Sequence, residues 1–298
     1  MKLTRRALLG SAIAAMSLPR MAFAAGETIK IGVLQSLSGI DYVYPRNTNT
    51  ILEAYLTQKG IAKEDIFVNY TPFGHSDWSK IVGDVVALGA DGKKVGVIST
   101  INGDANIGIY KELAAAGVTA DKLPVVAFSV GEEELSGLDI SNRVGHLAAW
   151  NYFMSADTAE NKAFIDEWHA FIKDDKRVTN DPMEAHFIGF NMWVNAVTVV
   201  GTMDADVVSA AMIGQKFLNL TETMAGMLPN HHLTKPVLIG EIRADGQFDI
   251  ISQTEPVQGD AWTDYLPESA VIECDWKDLK CGKSNKDTKT CVQLTSNY

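Results

Sequence analysis

From residue 29 onward, short apolar runs alternate with longer stretches of helical spacing, which predicts parallel strands joined by crossover helices. Ile29-Lys30-Ile31-Gly32-Val33-Leu34 is the first such run, a strand leading into the loop Ser36-Leu37-Ser38-Gly39. Residues 48–59 follow as a helix closed by Gly60, since glycine takes the left-handed conformation that ends helices without strain. Strands at 66–70, 95–100 and 124–128 then alternate with helices at 78–88 and 105–116. The second of these helices carries Ile107, Tyr110, Leu113 and Ala114 at helical spacing and stops at Gly117. Residues 41–145 thus hold strand–helix repeats amounting to nearly one doubly wound sheet. Further along, 207–213 reads as a short helix, and 237–243 with 247–251 as a hairpin turning on Ala244-Asp245-Gly246.

The first 25 residues have a different pattern. Lys2, Arg5 and Arg6 precede an apolar run at 7–18, and Ala22-Phe23-Ala24 supplies a small-x-small cleavage site before Ala25, the order of an export signal. The run is too short for a membrane anchor. Thr4-Arg5-Arg6-Ala7-Leu8-Leu9 resembles a twin-arginine signal, and Arg20 behind the run disfavours the general secretion route. Both routes lead to the periplasm. Cleavage removes four basic residues and no acidic one, taking the formal charge from -11 to -15. An acidic chain with no basic stripe repels nucleic acid and anionic headgroups, so neither nucleic acid nor stable membrane insertion is expected. The expected ligand is small, and neutral or cationic.

Candidate chemistry narrows the field further. Cys274, Cys281 and Cys291 all fall in the last 25 residues, where hydrophobic periodicity is lost. In an oxidising compartment two of them close a loop and one is left over, with the pairing open. Their spacing fits no zinc pattern. His75, His146, His169 and His186 are scattered, and neighbours such as His231 and His232 point to opposite faces of a strand, so no metal site is expected. A cysteine amidase would need its nucleophile in the core rather than in a tail, and no glycine loop cradles phosphate. Catalytic residues and cofactors are therefore not expected. The Asn219-Leu220-Thr221 sequon is set aside in a chain with a bacterial-type signal, and 224–227 reads as methionine core filler.

Binding remains, and its natural place is the set of loops at the C-terminal ends of the parallel strands. Tyr42 and Tyr44 follow the first strand, Asn102 and Asp104 follow 95–100, and Ser129 and Glu132 follow 124–128, so all three loops open on one edge. Each residue has a structural alternative. Tyr42 and Tyr44 can pack at a helix start, and Asp104 can cap the helix from Ala105. The Glu132-Glu133-Glu134 triplet can be a solvated helix start, and Asp181 a cap before Pro182.

Asp41-Tyr42-Val43-Tyr44-Pro45-Arg46 joins four other segments in a family pattern: Asn102-Gly103-Asp104-Ala105-Asn106, Glu132-Glu133-Glu134, Ala148-Ala149-Trp150-Asn151-Tyr152-Phe153 and Asn230-His231-His232. Together they resemble the urea and short-chain-amide branch of the periplasmic substrate-binding proteins that feed ABC importers. The resemblance implies an α/β, type I periplasmic-binding-protein-like fold with doubly wound sheets, closing on urea or a short amide and delivering it to the permease subunits. It implies that Tyr42 stacks on the amide and that Pro45-Arg46 begins the helix placing it. Asn102, Asp104, Ser129 and Glu132 lie where such a flat ligand would find polar contacts.

The resemblance further makes 146–152 a crossover strand and 161–172 and 182–201 helices of the other lobe. In that family a stretch on the order of a hundred residues, about a domain's worth, separates the opening strand from the Tyr-x-Tyr-Pro-Arg run, and here that stretch is missing. The resulting division is a signal at 1–25, a remnant first strand of lobe 1 at 26–40, lobe 2 at 41–145 and helices of lobe 1 at 146–235. A hairpin returning to lobe 2 at 236–265 and a cysteine-containing tail at 266–298 complete it. Phe164, Trp168, Phe171, Phe187, Phe190 and Trp193 then need an apolar cover, which a second copy of the chain can supply. The alternative function is a non-binding remnant that dimerises through those helices.

Overall fold

The computed structural model describes residues 29–36, 43–72, 74–90, 92–136, 138–259, 271–273, 278 and 284–291, with the backbone alone for 29–36, 43–49 and 273. In chain order its first part comprises β1 (Ile29–Ser36), α1 (Val43–Gln58), β2 (Ile66–Thr71), α2 (Ser79–Leu88), β3 (Lys94–Thr100), α3 (Ala105–Ala115), β4 (Val125–Ala127), α4 (Glu132–Leu135) and β5 (Leu147–Trp150). Next come α5 (Ala159–Ile172), α6 (Asp181–Val200), α7 (Ala205–Met212), β6 (Lys216–Leu218), β7 (Met224–Met227) and β8 (Leu233–Thr234). The chain continues through β9 (Leu238–Ile242) and β10 (Phe248–Gln253) to the short strands β11 (Ile272–Glu273), β12 (Ser284–Asn285) and β13 (Thr290–Cys291).

The large sheet runs β10-β9-β5-β4-β3-β1-β2. Strands β1 to β5 are mutually parallel, and β9 and β10 extend the edge antiparallel. The order of its first five strands, 2-1-3-4-5, is that of an open doubly wound sheet, which confirms the α/β class. Along β3, Val95, Val97 and Ser99 are buried in alternation, as a period of two requires. Val95 and Val97 pack with Val82 and Val85 of α2 and with Ile109 and Leu113 of α3 in one apolar cluster. The hairpin joining β9 and β10 turns at Asp245-Gly246, with Gly246 at φ +78° and the Asp245 carboxylate accepting from Gln247 N at 3.1 Å. Behind the hairpin, Phe153 and Phe248 stack 4.4 Å apart, and Gly240 leaves room for them: a Cβ there would sit 2.8 Å from the Phe248 ring.

Two expectations about the first strands change. Helix α1 begins at Val43, not at residue 48, because Pro45 falls in its first turn, where a missing N–H costs nothing. Strand β1, expected as a leftover of another lobe, is an interior strand of the large sheet, with Val33 opposite both Val68 of β2 and Ile98 of β3. A strand between two partners satisfies its backbone groups on both sides, which an isolated remnant could not do.

Helix α6 packs on a separate, smaller sheet of order β6-β7-β8, which the sequence pattern did not announce, and α5 meets α6 through Phe164. Its strands are two to four residues long, too short to show alternation. The 224–227 segment is strand β7, burying Ala225 and Met227 against Ile188 and Met192 of α6. Asn219, the sequon residue, is buried and makes the β6–β7 turn: its Oδ1 accepts from Thr221 N at 3.0 Å and Thr223 N at 2.9 Å. The Phe187 ring sits 4.9 Å from that of Phe164 and 5.7 Å from that of Phe217. Cys291 is disulfide-bonded, while Cys274 and Cys281 lie outside the described residues.

Candidate switch-point crevice

In a 2-1-3-4-5 sheet the connections after β1 and β3 leave to opposite faces, and a crevice opens between them. β1 and β3 run in register to their ends, Gln35 opposite Thr100. The chain after β1 contains Tyr42, which lies outside the described residues, and Tyr44 is the second residue of α1. Asn102 and Asp104 follow β3 and are exposed. Asp104 stands at the N-cap of α3, yet its side chain makes no capping bond, so the capping role does not occupy it.

The loop after β4 is tied to the loop after β3. Ser129 Oγ donates to Ile101 O at 2.6 Å, and buried Asn106 donates through Nδ2 to Ile101 O at 2.7 Å and Ser129 O at 3.2 Å. Ser129 is thus committed to holding the crevice wall. Asn106, part of the Asn102–Asn106 motif, was not singled out from sequence; a buried amide on the first turn of a helix that follows a strand is the signal that would have found it.

Glu132 is not a solvated helix residue: it is 2% exposed, while Glu133 beside it is exposed. Its Oε1 accepts from Ser155 N at 3.2 Å and Ser155 Oγ at 3.1 Å, and its Oε2 has no partner among the described residues. Burial pushes the carboxyl up to about 7, against the hydrogen bonds that favour its ionised form. Ser155 Oγ also accepts from Phe248 N at 2.9 Å, so this contact links α4, the segment after β5 and the hairpin. Glu134 closes the α4 start by accepting from Gly131 N at 2.8 Å, and the Trp150 ring lies against Gly131.

Asp181 does not cap α6. Asn180 does, accepting from Met183 N at 3.0 Å. Asp181 instead accepts from Lys235 Nζ at 3.3 Å and from the Trp150 indole, and Lys235 also donates to the fully buried Glu184. Burial raises both carboxyls and Lys235 opposes the rise. This cluster fastens the α6 start to the end of β5. Lys235 gave no sequence signal, because its partners lie more than fifty residues away.

Exposed Asn102 can both donate and accept, and Asp104 accepts only, a set complementary to a ligand carrying N–H and C=O groups. Among the described residues, no three His, Cys, Asp or Glu side chains are grouped to hold a metal ion. Among the same residues, no helix is long and apolar enough to cross a membrane.

The model of the periplasmic binding protein domain family matches residues 11–268. A solute-binding protein of an ABC transporter from Rhodopseudomonas palustris HaA2, solved with p-hydroxybenzoic acid, is similar in fold at 20% identity and TM-score 0.63, over 78% of this chain and 62% of that one. An amino acid ABC transporter substrate-binding protein from Pseudomonas fluorescens Pf-5 gives 16% identity and TM-score 0.62, over 78% and 61%. A leucine binding protein from Thermotoga maritima MSB8 gives 14% and 0.59, over 76% and 61%. Limonene hydroxylase of Geobacillus stearothermophilus is 28% identical over 135 residues, 45% of this chain and 24% of that protein. The chain spans about six tenths of the length of the solved relatives. From a match over most of its length, and a doubly wound sheet shared with those structures, it follows that the chain belongs to the periplasmic binding protein domain family.

Proposed function

We propose that this protein is an exported solute-binding component of an ABC importer, taking urea or a short-chain amide in the crevice after β1 and β3 and presenting it to permease subunits. The observation that carries the proposal is the 2-1-3-4-5 strand order, in which the chain bearing Tyr42 and the exposed Asn102 and Asp104 follow adjacent strands. Tyr42 is the stacking ring, Asp104 accepts a ligand N–H, and Asn102 pairs with the carbonyl; Tyr44, Ser129 and Glu132 support the walls. No catalytic step is assigned. The short likeness to limonene hydroxylase covers a quarter of that protein at most, whereas the family match runs through nearly the whole chain.

The missing stretch of the first lobe is supported by the coverage of the solved relatives, about six tenths of their length. In a full-length relative two lobes close on the ligand; here the crevice has one wall from the large sheet, and affinity is correspondingly modest. The test is binding by variants: Tyr42→Ala abolishes it, and Asp104→Ala weakens it about tenfold or more, the loss of one charge-assisted hydrogen bond of ~1.5–3 kcal/mol. Unchanged affinity in Tyr42→Ala, with circular dichroism unaltered, removes Tyr42 from the site.

A second reading, a non-binding remnant that dimerises, is favoured by one observation. Phe171 and Val199 are 80% and 82% exposed, and Phe190, Trp193 and Met203 are exposed beside them on or after α5 and α6. An apolar groove of about 580 Å³ lies between Phe164, Trp168, Met183 and Phe187, and the Trp168 ring stacks on exposed Phe171.

A further inference from the structure

At the edge of the large sheet opposite the crevice, three polar side chains are buried together. Tyr110 of α3 is 2% exposed, Arg143 in the turn before β5 is 3% exposed, and His146 at the start of β5 is 1% exposed. Among the described residues, Tyr110 Oη and Arg143 Nε have no hydrogen-bond partner. The Tyr110 and His146 rings meet edge to face, 6.2 Å between centroids. His146 Nδ1 accepts from Val125 N at 3.1 Å, which leaves the ring proton on Nε2. The backbone around Arg143 is fixed: Arg143 N donates to Ile140 O at 2.8 Å, Gly145 N to Ile242 O at 2.9 Å and Ile242 N to His146 O at 2.9 Å.

A buried cation is costly unless it is paired, and a buried hydroxyl costs unless it is bonded. Asp139 acts on Arg143 only through space, and its carboxylate is engaged by Ser141 N at 3.0 Å. Burial, with Arg143 adding to it, pushes His146 down to about 4, so the ring is neutral and Arg143 is the one full charge of the group. We propose that Arg143, Tyr110 and His146 form an anion-binding site, distinct from the switch-point crevice, for a small singly charged oxyanion of carboxylate or phosphate type. Arg143 supplies the charge, and Tyr110 Oη, Arg143 Nε and His146 Nε2 supply donors. The anion enters past the exposed turn of Asn142 and Val144, and its negative charge offsets the burial of Arg143.

Val125 is the first residue of β4 and His146 directly precedes β5, so the group lies at the N-terminal ends of these strands, whereas the crevice lies at the C-terminal ends. Anion binding and amide binding are therefore separable. The test is the melting temperature of the mature chain in sodium acetate and sodium phosphate against sodium chloride at matched ionic strength. The expected result is a saturable rise with acetate or phosphate above chloride, and the anion that gives it identifies the class. Arg143→Gln abolishes that rise, and Tyr110→Phe shifts its midpoint about tenfold, the effect of one donor to a charged group. Heats of urea titration stay unchanged in Tyr110→Phe. The same response to all three salts, an adventitious ion only, overturns the proposal, as does a saturable rise that survives both variants. If Arg143→Gln does not fold, Tyr110→Phe decides alone, because its hydroxyl has no partner among the described residues.

Discussion

At the residue scale, Glu132 shows how burial decides chemistry. One carboxylate oxygen is bonded to Ser155 and the other to none of the described residues, and burial disfavours ionisation, so the carboxyl rises to about 7. A carboxyl whose folded pKa lies above its unfolded value stabilises the fold most when protonated. That contribution is complete below about 4.3, the unfolded value, and is lost as pH rises through about 7. Glu132→Gln keeps the acceptor facing Ser155 and removes the charge. Its melting temperature should exceed that of the wild type at pH 8, with a flatter slope between pH 5 and pH 7; an unchanged profile would show that Glu132 does not titrate there. The loop positions of Asn102, Asp104 and Glu132 were legible, since each follows a strand of the periodic pattern. Their surroundings were not: three consecutive glutamates give no sign of which one turns inward, and Ser155 lies 23 residues from its partner.

Among elements, the alternating strands and helices from 66 to 128 were readable because each is long enough to express its period. Strands β6, β7 and β8 were not, at two to four residues each. Nor could a pattern tell which neighbours β1 would choose, because its partners, β2 and β3, lie thirty to sixty residues further along the chain. The Lys235 cluster is the other feature hidden from sequence, and it carries an element-level prediction. Lys235→Met leaves Asp181 and Glu184 buried without their cation and should cost about 3–5 kcal/mol, read as a lower denaturation midpoint. A loss below about 1 kcal/mol would mean that α6 is not held to β5 through this ion cluster.

For the whole molecule, one large sheet with its own apolar cluster is joined to a small sheet and two helices with theirs. Helix α6 is apolar on more faces than β7 covers: Ile188 and Met192 are buried, while Phe190, Trp193 and Val194 are exposed. A helix apolar all round is ordinarily buried all round. The mass measured by light scattering should therefore rise toward a dimer with concentration, and Phe190→Glu should return it to one chain; a monomer at all concentrations would remove that interface. Capture of a small amide by the crevice is read by isothermal titration of residues 25–298 with urea, then acetamide and formamide. Saturable heat is expected for at least one of them, with one ligand per chain and none in Tyr42→Ala. A folded, monodisperse sample that gives no heat with any of the three would contradict it.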